Sequence, residues 1–95
     1  MFKDLDPILH SQLRLSIVSI LMSIHEANFN FIKDETKATS GNLSIQIKKL
    51  QDVGYIKVRK TFKNNYPNTS LSITKKGIEA FESYVNSLKN YINPK

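Results

Sequence analysis

The sequence contains no cysteine, has only three glycines and lacks any long uninterrupted apolar run. The absence of cysteine excludes a disulfide framework, a thiolate metal site and a cysteine nucleophile. Three scattered glycines cannot form the glycine-rich loop that cradles a phosphate. The longest apolar-rich stretch, residues 13–24, is interrupted by Arg14 and three serines, which excludes a membrane span. The first ten residues hold two aspartates and a proline instead of a basic region and an apolar run, so we predict no signal peptide and expect a cytoplasmic protein.

Residue types that carry catalysis or metal binding are few and poorly spaced. The two histidines, His10 and His25, lie fifteen residues apart and lack the spacing of a metal site. Asp34 and Glu35 are neighbours in the sequence and do not form a facing acid–base pair. We therefore predict no enzymatic activity, no metal site and no cofactor. The sequence identifies no small-molecule effector.

The chain does have an ordinary apolar content and a localised positive charge. Its 95 residues, 40% hydrophobic and 23% charged, predict a single globular domain over residues 1–95. Residues 41–76 hold eight basic side chains and one acidic side chain, whereas residues 1–40 hold four basic and five acidic ones. This concentration of charge favours a surface that binds a polyanion. A solvated lysine-rich surface without a partner is the alternative.

Apolar periodicity and capping residues predict four helices. The predicted helices span about residues 7–25, 31–36, 40–53 and 75–91, and their N-caps are Asp6, Asn30, Thr39 or Ser40, and Thr74. Residues 26–30 are predicted as a break between the first two helices. Gly54 stands where a helix commonly ends at a glycine.

Beyond Gly54 the apolar period changes from that of a helix to that of a strand. Ile56 and Val58, then Leu71 and Ile73, alternate with polar residues, which predicts a β-hairpin over residues 55–73. Residues 60–69 hold three asparagines and a proline without an apolar pattern, so we expect a long projecting loop there. The fold class is therefore α+β and mostly helical.

This order of elements resembles the winged helix-turn-helix fold. The stretches LDPILHSQLRLSIVSIL, FNFIKDETKATSGNLSIQIKKLQDVGYI and SITKKGIEAF are similar to the small single-domain MarR/ArsR-like regulators of bacteria. The resemblance covers about residues 5–90. It implies a three-helix core, a β-hairpin wing and a C-terminal dimerisation helix. It also implies a homodimer on operator DNA, with the third helix in the major groove and the wing at the backbone or minor groove.

The third predicted helix presents a polar face when Leu43, Ile47 and Leu50 pack inward. Hydrogen-bond donors near its N-terminus and lysines further along suit phosphates and base edges. The candidate DNA contacts are Ser40, Gly41, Asn42, Ser44, Ile45, Lys48 and Lys49 on the helix, and Arg59, Lys60, Lys63, Asn64, Asn65, Tyr66, Asn68 and Thr69 on the wing. For Tyr66, packing of the ring over the hairpin is the alternative.

Ile45 is the one apolar residue on this polar face. Similar proteins often carry a basic residue at this position and an arginine-rich wing tip. An isoleucine can contact a thymine methyl but cannot recognise guanine by hydrogen bonds. We therefore expect either a preference for thymine at one base pair or a variable surface residue without a role.

Apolar residues on a second face of the first helix and on a wide arc of the last helix predict a dimer interface. A helix that is apolar nearly all round needs more cover than a small monomer offers. The candidate interface residues are Ile8, Leu15, Val18, Met22, Tyr84, Leu88 and Tyr91. The alternative is that all of them belong to the core of one chain.

Two functions are compatible with these features. The first is a dimeric transcriptional regulator that binds double-stranded DNA, and the localised positive charge favours it. The second is a winged-helix module for protein contacts without sequence-specific DNA binding, because a fold does not determine a function.

Overall fold

The helices and strands follow the predicted order, with one additional strand. In the computed structural model, which describes residues 2–93, the elements are α1 (Gln12–Ile24), β1 (Glu26–Asn28), α2 (Phe29–Thr36), α3 (Ser40–Asp52), β2 (Ile56–Lys63), β3 (Tyr66–Ile73) and α4 (Lys75–Ile92). The strands form one antiparallel sheet in the order β1-β3-β2. The predicted α+β winged helix-turn-helix fold is therefore confirmed. None of the helices within residues 2–93 is long and apolar enough to cross a membrane.

Side-chain caps define the start of three helices. The Asn28 side chain accepts the Phe31 N–H at 2.8 Å, so α2 begins at Phe29 and its cap is Asn28 instead of the predicted Asn30. Thr39, one of the two predicted candidates, caps α3 by accepting the Asn42 N–H at 3.2 Å. Each cap satisfies a backbone donor that has no partner inside the helix.

The predicted start of the first helix at residue 7 is wrong. Asp6 does accept a backbone N–H, that of Ile8, at 2.8 Å, but the result is an isolated turn. The extended backbone at Ser11 (φ −152°, ψ 127°) separates this turn from α1. This separation accompanies the complete burial of Leu9 in the core, which a sequence pattern of helical period does not reveal.

The strand β1 replaces part of the predicted break at residues 26–30. Ala27 lies opposite Leu71 of β3 and is buried, while its two neighbours are exposed. Three residues are too few to show an alternating pattern. The strand exists because β3 offers a free edge for pairing.

The prediction of a long loop at residues 60–69 is also wrong. The ladder between β2 and β3 continues from Ile56–Ile73 to Lys63–Tyr66, and only Asn64 and Asn65 form the turn. Both asparagines have positive φ angles, 53° and 66°, as a two-residue type I′ turn requires. Asparagine tolerates this conformation, so the pair was a turn signal. The wing is thus ordered strand up to its tip.

The hydrophobic core lies between the helices and one face of the sheet. It includes Ile17 and Leu21 of α1, Ile32 of α2, Leu71 of β3 and the predicted inward stripe of α3. Within one chain, α1 packs against α2, α3, β3 and α4, and three of its residues, Ile17, Val18 and Leu21, are buried. Its other apolar residues are half-buried, except Ile24, which is 47% exposed. The single chain therefore leaves part of the apolar surface of α1 uncovered.

Two residues predicted for a dimer interface belong to this core. Val18 is 0% exposed and Tyr84 is 5% exposed. Neither offers surface that a second copy could cover. Ile8, Leu15, Met22 and Leu88 are half-buried, and Tyr91 is exposed.

The start of α4 packs directly against the backbone between α3 and β2. The Thr74 N–H donates to the Tyr55 carbonyl at 3.1 Å and the Thr74 hydroxyl donates to the Gly54 carbonyl at 2.6 Å. The same hydroxyl oxygen accepts the Gly77 N–H at 3.0 Å. A Cβ at Gly77 would overlap the Tyr55 carbonyl oxygen and lie 3.1 Å from Cγ1 of Ile73. Glycine is therefore required at position 77.

We expect Gly77→Ala to destabilise the protein by about 1–3 kcal/mol, because the added methyl group forces α4 away from Tyr55. Gly41→Ala is the matched control. A Cβ at Gly41 has no neighbouring atom within 4 Å, so this variant should be unchanged or slightly more stable. Urea unfolding of both variants and the wild type provides the measurement. Equal stability of the two variants would contradict the packing argument.

The Tyr55 side chain connects the same junction to the N-terminal turn. Its hydroxyl donates to Asp6 Oδ2 at 2.5 Å. Burial, followed by the hydrogen bond to Asp6 and the charge of Asp6, raises the pKa of Tyr55 to about 12. The neutral phenol is thus favoured in the folded protein.

This pKa predicts a loss of stability at high pH. A pKa raised from 10.0 to about 12 on folding means that the contribution of Tyr55 is complete below pH 10 and disappears as the pH rises through 12. Free energies of unfolding measured between about pH 9 and 12 should fall less steeply for Tyr55→Phe than for the wild type. Identical slopes for the two proteins would show that the phenol is not the responsible group.

Candidate nucleic-acid interface

The outward face of α3 is exposed over its whole length. Leu43, Ile47 and Leu50 are buried, at 0%, 6% and 0% exposure, so the opposite side of the helix faces solvent. The helix residues predicted to contact DNA are all exposed, namely Ser40, Gly41, Asn42, Ser44, Ile45, Lys48 and Lys49. Ile45 lies near the middle of this face and is 56% exposed.

A series of hydrogen bonds connects the exposed face of α3 to α1 and to the N-terminal turn. The carbonyl oxygen of the Asn42 side chain accepts from Gln46 Nε2 at 3.0 Å, and Gln46 Oε1 accepts from Nη1 of Arg14. Arg14 in turn donates through Nε to the Ile8 carbonyl at 2.6 Å. The orientation of Asn42 is therefore coupled to α1 and to the N-terminal turn. Gln46 and Arg14 are absent from the predicted site residues, because only contacts between elements reveal their role.

The two lysines of α3 differ in their surroundings. Lys48 Nζ lies 2.8 Å from Asp52 Oδ1, one helical turn away, and both side chains are more than half exposed. Such an exposed pair contributes little and can open when a stronger anion arrives. Lys49 takes part in none of the ion pairs found within residues 2–93. Both ammonium groups are thus available for phosphates.

A depression of about 350 Å³ lies between α3 and the wing. Phe29, Ile47 and Val58 provide its apolar part. The polar part combines helix and wing residues, which are Ser44, Lys48, Gln51, Lys60 and Thr69. Ser44, Lys48, Lys60 and Thr69, predicted separately from the sequence, therefore border one surface.

The remaining predicted wing residues do not line this depression. In the β2–β3 register, Arg59 pairs with Ser70, Thr61 with Asn68 and Lys63 with Tyr66, on the opposite face from Lys60 and Thr69. Asn64 and Asn65 form the tip. Tyr66 is 74% exposed, which leaves little of its ring packed over the hairpin.

Arg59 is held on that opposite face by an acidic residue of β1. Its Nη2 lies 3.5 Å from Glu26 Oε2, and the same carboxylate accepts the Ser70 hydroxyl at 2.5 Å. Glu26 thus partly compensates the charge of Arg59. Among the basic residues of the wing, Lys60 is the one that borders the depression shared with α3.

One prominent wing residue is absent from the predicted site. Phe62 is 79% exposed and lies opposite Pro67 on the strand face that also carries Lys60 and Thr69. Phe62 was omitted because residues 60–69 were predicted as a loop, in which the direction of a side chain cannot be inferred from alternation. Continuing the alternation of Ile56, Val58 and Lys60 by one step would have placed it on this face.

Comparison with known proteins gives consistent results. The family model described as a winged helix DNA-binding domain matches residues 13–92. An uncharacterised protein of Methanocaldococcus jannaschii is 32% identical over 78 residues, which cover 82% of this chain and 85% of that protein. The structure of a transcriptional regulator homologue from Pyrococcus horikoshii OT3 superposes with a TM-score of 0.85 at 32% identity, covering 92% of this chain and 86% of that chain.

A more distant structure shares the fold. A MarR-family transcriptional regulator from Silicibacter pomeroyi superposes with a TM-score of 0.68 at 13% identity, covering 86% of this chain and 54% of the other. At this identity the similarity concerns the fold alone.

Proposed function

The chain belongs to the winged helix DNA-binding domain family, and from this premise we propose that it regulates transcription as a homodimer on operator DNA. A DNA-binding domain of this family is not an enzyme. In our proposal α3 enters the major groove, and the wing contacts the backbone or the neighbouring minor groove. The observation that carries the proposal is the common surface of α3 and the wing, where Ser44, Lys48, Lys60 and Thr69 meet.

Charge supports DNA as the partner of this surface. Asp52 is the only acidic residue within residues 41–76, and its pair with Lys48 is exposed to solvent. Glu26 lies on the other face of the sheet, beside Arg59. The surface shared by α3 and the wing therefore presents the cations Lys48 and Lys60 and the hydroxyl groups of Ser44 and Thr69, which are suitable partners for phosphate oxygens.

Gly41 supports a close approach of the DNA backbone to the N-terminus of α3. The surrounding space is open, so the fold itself does not require glycine at this position. The first backbone N–H groups of a helix lack internal partners and attract phosphate. A position without a side chain lets the DNA backbone come close to these donors.

Ile45 and Asn42 are the residues best placed for base contacts. An exposed isoleucine near the middle of the face suits a thymine methyl. The Asn42 oxygen keeps one lone pair beside its bond to Gln46, and its NH₂ group retains its donors, so the amide can still pair with adenine. We propose an operator in which A·T pairs face the middle of α3.

Exposed apolar residues at the two ends of the chain support dimerisation. Phe2 and Tyr91 have ring centroids 4.9 Å apart, and the Tyr91 hydroxyl donates to the Lys3 carbonyl at 2.8 Å. Ile92, next to them in α4, is 78% exposed. None of these residues lines the depression beside α3. A two-fold interface formed here would leave both α3 helices free for a roughly palindromic site.

The DNA-binding part of the proposal predicts selective and salt-dependent duplex binding. The purified protein should select specific genomic fragments. Removing one phosphate-binding lysine per protomer should reduce the slope of log affinity against log salt by about 0.9 for that protomer. We therefore expect Lys49→Ala combined with Lys60→Ala to weaken binding and flatten this slope by about two units per protomer. Lys89→Ala, in the last turn of α4, is the control and should behave like the wild type.

Failure to retain any duplex would argue against DNA binding by this surface. The alternative function, protein contact through the winged helix, would then gain support if Lys49→Ala with Lys60→Ala left the binding of a protein partner intact. A slope unchanged by the double substitution would instead place the phosphate contacts elsewhere on the protein.

The dimer part predicts a monomeric variant. Ile92→Glu places a charge in the proposed interface, so this variant should sediment as a monomer where the wild type sediments as a dimer. Ile45→Glu is the matched control, since it adds the same charge to an exposed isoleucine on α3 and should leave the dimer intact. A monomeric wild type at tens of micromolar would rule out the dimer.

A further inference from the structure

The tip of the wing carries an apolar side chain that the fold does not use. Phe62 is 79% exposed, the highest value among the exposed large hydrophobic residues of the described chain, and Pro67 opposite it is also exposed. An exposed phenylalanine adds nothing to the stability of the core. Its conspicuous position suggests a role in binding.

Phe62 faces the same side as the surface shared with α3. Side chains alternate along a strand, so Val58, Lys60 and Phe62 share one face of β2. Val58 and Lys60 border the depression beside α3. Phe62 is the next residue on that face and lies four positions, or about 13 Å, beyond Val58. A ligand seated on α3 and the wing would therefore meet this ring.

The pairing of β2 with β3 determines the face of the wing on which the Phe62 ring lies. Lys63 and Tyr66 flank the two-residue turn and form a hydrogen-bonded pair. Such pairs alternate along an antiparallel ladder with pairs that share no backbone hydrogen bonds, and Phe62 and Pro67 form the next pair, which is of the second kind. Side chains approach most closely in such pairs. On its other side β3 pairs with β1 only at residues 70–72, so no strand lies beside Pro67 there. The lack of an N–H at Pro67 therefore removes no hydrogen bond from the sheet. Pro67 can thus support the ring without weakening the sheet.

The charge around the tip favours a polyanion as the occupant. The sequence contains no acidic residue between Asp52 and Glu79, and Lys60 and Lys63 lie within two positions of Phe62. An apolar ring whose charged neighbours in the wing are all cations is complementary to DNA, whose stacked bases are apolar and whose backbone is anionic.

We propose that Phe62, supported by Pro67, is an apolar wedge that inserts between base pairs from the minor groove and kinks the bound operator. This proposal rests on the proposed function, in which α3 occupies the adjacent major groove. The reach of about 13 Å beyond the core is comparable with half a helical turn of B-DNA, about 17 Å, which separates adjacent grooves. Phenylalanine and proline are among the residues that unstack base steps in this way.

The test uses the duplex selected by the wild-type protein, with 2-aminopurine placed at successive steps beneath the wing. Wild-type binding should bend the duplex by some tens of degrees and raise the 2-aminopurine fluorescence at one step, because that base loses its stacking. Phe62→Ala should abolish the bend and the fluorescence rise and reduce affinity roughly ten- to a hundredfold. The salt slope should stay unchanged, because the substitution removes no cation.

Two further variants make the test specific. Phe62→Leu retains an apolar wedge and should keep much of the bend. Tyr66→Ala removes an aromatic ring of similar exposure, 74%, from the opposite face of the wing. Because Tyr66 is itself a candidate DNA contact, this variant is expected to lower affinity at most, while the duplex that it binds keeps the full bend and the unstacked base. Thermal unfolding of all three variants should match the wild type, because both rings are exposed.

The outcomes distinguish this proposal from the function on which it rests. Duplex selection without bending or unstacking, together with normal affinity of Phe62→Ala, would overturn the wedge and leave the proposed function intact. Normal bending by Phe62→Ala with loss of a protein partner would overturn the wedge in favour of a protein-docking tip. Retention of no duplex by the wild type would overturn the proposed function and the wedge together.

Discussion

The direct contact between the start of α4 and the backbone of Tyr55 is the constraint on which the arrangement of the domain depends. Tyr55 lies between the end of α3 and the start of β2. Its carbonyl accepts the Thr74 N–H, and the preceding carbonyl, that of Gly54, accepts the Thr74 hydroxyl. The same Thr74 caps α4. Gly77 permits this approach because it has no side chain to intervene. One junction thus sets the relative positions of the α3 helix, the wing and the last helix.

This junction positions the wing on one side and α4 on the other. Towards the sheet, β2 and β3 leave it as a paired ribbon that ends in a two-residue turn, so the face on which each wing residue lies is determined by register. Towards the other side, α4 covers α1 and extends to the exposed apolar residues at its end. The surface proposed for DNA and the surface proposed for dimerisation are therefore separate, and each can be altered without the other.

The sequence predicted most where the pattern was local. The cap at Thr74 and the buried stripe of α3 were correctly identified, and the cap of α3 was narrowed to Thr39 or Ser40, because capping and helical period depend on near neighbours. Predictions from the sequence failed where a structure depends on contacts with residues far away in the chain. The strand at Ala27 exists through pairing with Leu71, and the turn before α1 accompanies burial of Leu9. For residues 60–69, polar side chains on both faces concealed a regular ladder, since the wing projects beyond the core and neither face is selected for burial.

By itself the sequence determined the class of fold, the excess of positive charge within residues 41–76 and the exposed face of α3, because each of these depends on composition or on residues a few positions apart. Only the tertiary structure decided which residues share a surface. It brought Lys60 and Thr69 beside Ser44 and Lys48, moved Arg59 to the other face beside Glu26, and buried Val18 and Tyr84 within one chain. The physical reason is that strand register and helix packing combine groups from distant positions, and whether a face is covered depends on all the elements around it.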